Sequence, residues 1–316
     1  MSAPAIAMAG VGVRYPGSAM AAVHDVDLVI PTGELTVFLG PSGCGKSTLL
    51  RTINRLIEPT AGTIHVDGTE IHALDAVQLR RRIGYVIQAV GLFPHLTIAE
   101  NIAVVPKLLG WEKPRIAARI DELLALVRLE PAHYRARLPR ELSGGEQQRV
   151  GVARALAAEP TIILMDEPFG AVDAIVRGSL QDEVARIHRT LGTTIVFVTH
   201  DVDEALKLAD RIVVMDKGTI VQAGTPLAIL TKPASPFVAQ LLDTADTVRR
   251  LGLIAVAGVI RTTNVAQSTI TIDASATLRE ALSALLTAAD RVDVVRDGAR
   301  IGSVGFDDVR SALAAA

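Results

Sequence analysis

The chain predicts an α/β fold of the doubly wound kind, in which a mostly parallel sheet turns its strand ends toward a ligand crevice. Three observations carry this expectation. The stretch Gly40-Pro41-Ser42-Gly43-Cys44-Gly45-Lys46-Ser47 stands between the apolar run Leu35–Leu39 and a helix-forming segment that opens with Thr48-Leu49-Leu50-Arg51. Further continuous apolar runs occur at Ile83–Ile87, Thr161–Met165 and Thr194–Val198, as in strands buried on both faces. Two of these runs end in chemistry: Asp166-Glu167 after one, Thr199-His200-Asp201 after the other.

The length of 316 residues suggests two domains, at roughly 100–200 residues each. Lys+Arg 32 against Asp+Glu 34 gives a net charge of -2, which leaves no basic field for nucleic acid. Hydrophobic content is 49% and mean hydropathy +0.36, yet the longest uncharged apolar stretch, Leu251–Ile260, falls short of the ~18–20 residues that span a bilayer. The start, Met1-Ser2-Ala3-Pro4, has no signal-peptide pattern, and the lone Cys44 cannot form an internal disulfide. These features predict a cytosolic protein that docks on something apolar.

In chain order, Ala5–Ile30 alternates as strands broken by Pro16-Gly17, and Pro31-Thr32-Gly33 punctuates before the Leu35 strand. Tyr15, on the first loop, suits either a stacking platform for an adenine ring or a half-buried strand-end tyrosine. The glycines of 40–47 let successive N–H groups face inward, and the helix that follows adds the positive end of its dipole, a cradle for a triphosphate. Lys46 would neutralise the β- and γ-phosphates, and the Ser47 hydroxyl would offer a hard oxygen to Mg²⁺. Within that cradle the Cys44 thiolate is expected to be favoured, hence reactive and protected by ATP. Lys46–Ile57 reads as a helix stopped by Glu58-Pro59, and Gly62–Val66 as a strand closed by Asp67-Gly68.

Gln88 follows the Ile83 strand, where an amide could reach Mg²⁺ or an attacking water; a solvated loop glutamine is the plain alternative. Thr97-Ile98-Ala99-Glu100 is a capping box that opens a helical region running to about Ala158, with Ile116, Ile120, Leu123, Leu124 and Val127 at core spacing. Leu142-Ser143-Gly144-Gly145-Glu146 precedes its last helix and suits an anion site or an ordinary N-cap. Asp166 is placed to hold Mg²⁺ and Glu167 to act as general base, and His200 can donate to a γ-phosphate. Arg211–Val221 reads as a hairpin around Asp216-Lys217-Gly218. Past a break at Ala245–Arg250, a helix at Thr277–Leu286 precedes strands at Val292–Val295 and Arg300–Val304 and a final helix from about Asp307.

Together these motifs resemble the ATP-binding cassette (ABC) family: phosphate loop Gly40–Ser47, glutamine loop Gln88, signature Leu142–Glu146, acidic strand end Asp166-Glu167, D-loop Ala171-Val172-Asp173 and switch His200, in family order. The resemblance implies an α/β P-loop NTPase of ABC type over residues 1–245, with an antiparallel β subdomain and a helical insertion at about 97–156. It implies ATP and Mg²⁺ as cofactors. Nucleotide contacts would come from Tyr15, Gly40, Pro41, Ser42, Gly43, Cys44, Gly45, Lys46, Ser47, Thr48, Ser143, Gly144, Gly145, Glu146 and Asp173. Metal contacts would come from Ser47, Gln88 and Asp166, and catalysis from Glu167, His200 and Gln88. Two cassettes would stack head to tail, so that one phosphate loop and the partner's signature clamp each ATP. Glu146 departs from the glutamine most frequent in the family.

Asn54–Thr60, Leu92–Thr97, Glu100–Pro106 and Trp111 more narrowly resemble the osmoprotectant importers of glycine betaine, carnitine, choline and proline betaine. That implies a homodimer at the cytoplasmic face of the membrane, held by transmembrane permease subunits and served indirectly by an extracytoplasmic solute-binding protein, with no nucleic-acid partner. The tail, residues 246–316, is similar to one half of a cystathionine-β-synthase (CBS) domain pair, a small α+β unit for regulation or dimerisation. The nucleotide-facing Ser/Thr-x-x-Asp of such units would fall at Gly305–Asp308, where Gly305 lacks the hydroxyl. A cassette for an amino acid or another small solute is the alternative reading. A soluble cassette ATPase of repair or translation would carry a long coiled coil or two cassettes, and neither is present in these 316 residues.

Overall fold

The computed structural model describes residues 3–315 apart from 88–90, 171, 173, 244–245, 262–267, 269 and 289. The chain divides into two compact units, Met1–Ala223 and Gly224–Ala316. The division falls earlier in the chain than the 245/246 boundary expected from composition, and it assigns two short helices, Pro226–Thr231 and Pro236–Leu242, to the second unit.

In the first unit, β1 (Ile6–Val13) and β2 (Val23–Ile30) pair antiparallel, and the alternating burial of β2 puts one face on the core. Next come β3 (Leu35–Leu39), α1 (Lys46–Ile53), β4 (Ala61–Val66) and β5 (Thr69–Glu70). The antiparallel sheet runs β2-β1-β4-β5. Helix α1 is shorter than the expected Lys46–Ile57, because Arg55 takes a left-handed backbone at φ 55° that ends the helical run.

The second sheet positions the chemistry. Beyond α2 (Ala76–Arg82) lie β6 (Ile83–Val86), then the insertion of α3 (Ile98–Leu108), α4 (Lys113–Leu126), α5 (Pro131–Tyr134) and α6 (Gly144–Leu156). The chain returns through β7 (Ile162–Asp166), α7 (Ala174–Leu191), β8 (Thr194–Thr199), α8 (Val202–Leu208), β9 (Arg211–Asp216) and β10 (Thr219–Gly224). The order is β10-β9-β3-β8-β7-β6, with β9, β3, β8, β7 and β6 parallel. Every residue of β3, β7 and β8 is buried, which is why they read as unbroken apolar runs. Parallel pairing brings the three chain segments that follow these strands, 40–47, 167 onward and 200 onward, to one edge. Phe38, Leu49, Ile64, Val198 and Val213 belong to the core cluster shared by both sheets and α1. Thr97 caps α3 through the expected box with Glu100, and Ile116, Ile120, Leu123 and Leu124 form the buried face of α4.

The second unit contains α9 (Pro226–Thr231), α10 (Pro236–Leu242), α11 (Thr247–Leu251), β11 (Thr271–Asp273), α12 (Leu278–Ala288), β12 (Arg291–Arg296), β13 (Ala299–Gly305) and α13 (Phe306–Ala315). The expected hairpin is present, but β11 adds a parallel strand to β12, so the sheet has three strands. A run of three residues carries too little periodicity to read. Its core gathers Leu251, Leu278, Leu285, Val292, Val304 and Val309. Asp308 points inward: one oxygen accepts from Arg261 Nε, the other from Arg291 Nη2 at 2.9 Å and Gly305 N at 2.9 Å. Both carboxylate oxygens are engaged by protein donors.

Candidate functional site

The loop after β3 wraps over the start of α1. Its tightness depends on Gly45, at φ 104°, where a Cβ would lie 2.5 Å from the Ala22 carbonyl oxygen. Pro41, Ser42 and Gly43 form the exposed crest, and Cys44 is buried beneath it. Lys46, 5% exposed, folds back so that Nζ donates to the carbonyls of Gly40 at 2.7 Å and Pro41 at 2.9 Å. The ammonium is thus paired to two carbonyl dipoles of its own loop.

The reactive-thiolate expectation for Cys44 is overturned. Burial pushes its thiol up from the ordinary value, and the opposing pull of Lys46 does not cancel that. The backbone N–H of Lys46 and its ammonium, 3.9 Å from Sγ, do face the sulfur, but the side chain also packs in the core cluster, where burial outweighs them.

Ser47 Oγ donates to Asp166 Oδ1 at 2.7 Å, joining the first turn of α1 to the end of β7. The other oxygen of Asp166 accepts from Arg51 Nε at 3.2 Å and Nη2 at 2.9 Å. Arg51 escaped the sequence reading, although Ser47 and Arg51 stand four apart and so share one face of α1. Tyr85 on β6 also sits beside this carboxylate: burial first, then the Asp166 charge, pushes its phenol up. One hydroxyl and one carboxylate oxygen at this separation suit a hard cation that takes its remaining ligands from phosphate and water. Among the described residues no group of three or more His, Cys, Asp or Glu side chains could hold a metal ion by itself. Ser47 Oγ and Asp166 Oδ1 are hard oxygen donors of the kind that fit Mg²⁺ delivered with a nucleotide.

Glu167, one residue on, adopts a left-handed backbone at φ 44°, uncommon for a residue with a side chain. It is held there by its N–H to Val198 O at 3.0 Å and by the turn Gly170 N to Glu167 O at 3.1 Å. Its Oε1 lies 3.3 Å from Nδ1 of His200, which is exposed at the end of β8. The structure thus brings a strand-end carboxylate and a strand-end imidazole into contact. Tyr15 is close to the loop as well: its hydroxyl lies 3.1 Å from Thr48 Oγ1, and 42% of the residue is exposed.

Ser143 caps α6, 13 residues long, in a capping box: Ser143 N and Oγ donate to Glu146 Oε2 at 2.7 and 2.8 Å, and Glu146 N returns a bond to Ser143 Oγ at 3.3 Å. The Tyr134 hydroxyl donates to the other oxygen of Glu146, and that bond holds the carboxyl below its usual range. A Cβ on Gly145 would stand 2.4 Å from Val176 Cγ1, so this glycine serves close packing on α7. The signature turn is not part of the cluster of Lys46, Asp166 and Glu167. Gln88 and Asp173, expected in metal and nucleotide contacts, lie outside the described residues.

A phosphate loop whose serine meets an acidic strand end, with a second carboxylate and a histidine on adjacent strands, defines a P-loop nucleoside triphosphatase. The family described as ABC transporter matches residues 23–170. The chain is 50% identical over 294 residues to the glycine betaine uptake system ATP-binding protein YehX of Escherichia coli K12, covering 92% of this chain and 95% of that protein. It is 59% identical over 221 residues to the glycine betaine/carnitine/choline transport ATP-binding protein OpuCA of Bacillus subtilis, covering 70% of this chain and 58% of that one. Among solved structures, the dimeric post-hydrolysis state of the cassette MJ0796 bound to ADP and phosphate aligns with a TM-score of 0.63 and 33% identity, over 70% of this chain and 98% of that one. The chain belongs to the ATP-binding subunits of ABC transporters, and it is an ATPase.

Proposed function

We propose that this chain is the energy-coupling ATPase of an importer for osmoprotectants of the glycine betaine, carnitine, choline and proline betaine class. The observation that carries the importer reading is the loop preceding α3, where the importer-like segment Leu92–Thr97 offers an ordered, exposed surface that suits a permease partner. Buried Asn101 accepts from Phe93 N at 2.8 Å and donates to the carbonyls of Phe93, Leu96 and Thr97 at 3.0–3.1 Å. This holds the Phe93 ring 42% exposed at the rim of a cavity of about 340 Å³ lined also by Arg80, Tyr85, Val105 and Arg154. An exposed aromatic on a rigid loop beside an open cavity suits a permease segment. Identity to a glycine betaine uptake subunit over nearly its whole length supports the solute class.

Among the described residues no helix is long and apolar enough to cross a membrane, so attachment to the cytoplasmic face would be peripheral, through permease subunits that an extracytoplasmic binding protein supplies with solute. Two copies would close on two ATP molecules, each held by one chain's phosphate loop and the other's Ser143–Glu146 turn. Lys46 exchanges its carbonyl partners for β- and γ-phosphate oxygens. Glu167 takes the proton of the attacking water and His200 donates to the γ-phosphate, with Gln88 and Asp173 completing the set. Ser47 and Asp166 would hold Mg²⁺, which supplies neutralisation of phosphate charge. Labelled glycine betaine uptake, measured in cells stripped of other uptake routes and expressing this chain or Glu167→Gln with the neighbouring permease, tests the proposal. Uptake with the wild type and none with the variant is expected. Uptake absent from both, with ATPase activity intact in the purified wild type, would remove the solute assignment.

A further inference from the structure

One buried carboxylate has no task in the hydrolytic scheme above. Glu204, in the first turn of α8, is 6% exposed. A lone acid at that depth costs free energy unless it is bonded, and its bonds here lead toward the reaction centre. Its Oε2 accepts from the Thr199 hydroxyl at 2.6 Å. The same hydroxyl accepts from Asp201 N at 3.0 Å, so the two residues that flank His200 are tied to one oxygen atom. The other carboxylate oxygen accepts from Gln181 Nε2 of α7 at 3.4 Å. A second strap runs alongside, from Arg177 Nη2 to Val172 O at 3.4 Å and from Arg177 Nη1 to Asp201 Oδ2 at 3.7 Å. Between Glu167 and Glu204 lies a small cavity of about 80 Å³, walled in addition by Arg177, Thr199 and His200.

We infer that Glu204 is a positioning residue for His200: by clamping the Thr199 hydroxyl it sets the strand end from which the imidazole reaches both Glu167 and a γ-phosphate. The inference rests on the reading of His200 as a γ-phosphate donor. Local sequence does not demand the clamp, since a β-strand can end without a buried acid and α8 already has its cap in Asp201, which accepts from Asp203 N and Glu204 N. Burial pushes the Glu204 carboxyl up from its usual range, as for an acid retained at this depth against desolvation. The charged and polar groups that face it are the Thr199 hydroxyl, the Asp201 carboxylate, the Arg177 guanidinium and the Gln181 amide.

The test is steady-state ATP hydrolysis by the purified full-length chain at saturating Mg²⁺. Displacement of a reacting group by about 1 Å costs on the order of 10²-fold, so Glu204→Ala should lower kcat by about 10- to 100-fold. KM for ATP should stay within about twofold, because the phosphate loop is untouched. Glu204→Gln keeps an acceptor for Thr199 and should retain kcat within about threefold. Thr199→Val removes the donor from the other side at equal volume, and should reproduce the loss even if the alanine variant fails to fold. In a His200→Ala background, Glu204→Ala should add less than about twofold, as expected when one residue acts through the other. Losses that multiply in the double variant, or a Glu204→Gln protein as slow as Glu204→Ala, would overturn the positioning role. A His200→Ala protein with wild-type kcat would instead remove the reading of His200 itself, and the inference with it.

Discussion

Asp166 and Asp308 stand in different units, are 3% and 6% exposed, and each bonds arginine. Around Asp166 one oxygen faces the guanidinium of Arg51 and the other a hydroxyl, Ser47, that can exchange a proton-donating contact for a shared cation. Around Asp308 every neighbour is a donor: two guanidinium groups and the N–H of Gly305. Similar burial and the same formal charge thus accompany the proposed cation site in one case and a strut in the other. The second oxygen decides, because a hard cation needs converging oxygens and a strut needs only converging N–H groups.

The widest gap should open in turnover. Glu167→Gln, next to Asp166, should cut ATP hydrolysis by on the order of 10²–10⁴ while leaving ATP binding intact, whereas Asp308→Asn should keep kcat within about twofold. Single-turnover hydrolysis and nucleotide titration separate the two, and undiminished hydrolysis in Glu167→Gln would remove the base assignment. Next in size is Lys46→Ala. Charge-assisted contacts to phosphate contribute about 1.5–3 kcal/mol, so the Kd for ATP should rise about 10- to 100-fold, by calorimetry or fluorescent-nucleotide competition. The strut should respond in stability instead: Asp308→Ala strands two arginines, though Arg261 is half-exposed and can be resolvated, so a loss of about 1–3 kcal/mol in denaturant unfolding is expected.

A third buried carboxylate sharpens the contrast. Among the described residues no arginine hydrogen-bonds Glu204, and burial, outweighing the Arg177 charge nearby, raises its carboxyl so that the fold favours the protonated form. The stability it contributes is complete below the ordinary carboxylate range and lost as pH rises through its raised value. Glu204→Gln should therefore gain in Tm relative to wild type as pH climbs from about 4 to about 8. An equal difference at both ends would show the carboxyl to be no harder to ionise folded than unfolded. The smallest effect concerns Cys44, whose burial predicts slow alkylation at neutral pH and faster reaction as pH rises, followed by mass spectrometry.

Much of the first unit was legible because its cues are local. The loop glycines, the Thr97 capping box and the apolar runs of β3, β7 and β8 each predict themselves from a handful of neighbours. The Arg51–Asp166 and Thr199–Glu204 contacts were not legible as contacts. They join residues on different elements, and an arginine on an amphipathic helix or a glutamate in a first helical turn has an adequate solvent-side explanation alone. Cys44 was misread because motif spacing constrains the backbone, whereas the direction of a side chain depends on what packs behind it. β11 was too short to announce itself and depends on the partner strand β12 for its existence.

Lys46 lies over the loop it serves, with its ammonium already bonded to two carbonyls of that loop. If Lys46 binds phosphate as proposed, capturing a triphosphate is a substitution reaction rather than an addition, since two good acceptors must be released for each set gained. The net heat of binding is then small beside the number of contacts formed, and affinity is governed by how much better phosphate is than carbonyl as a partner for one ammonium group.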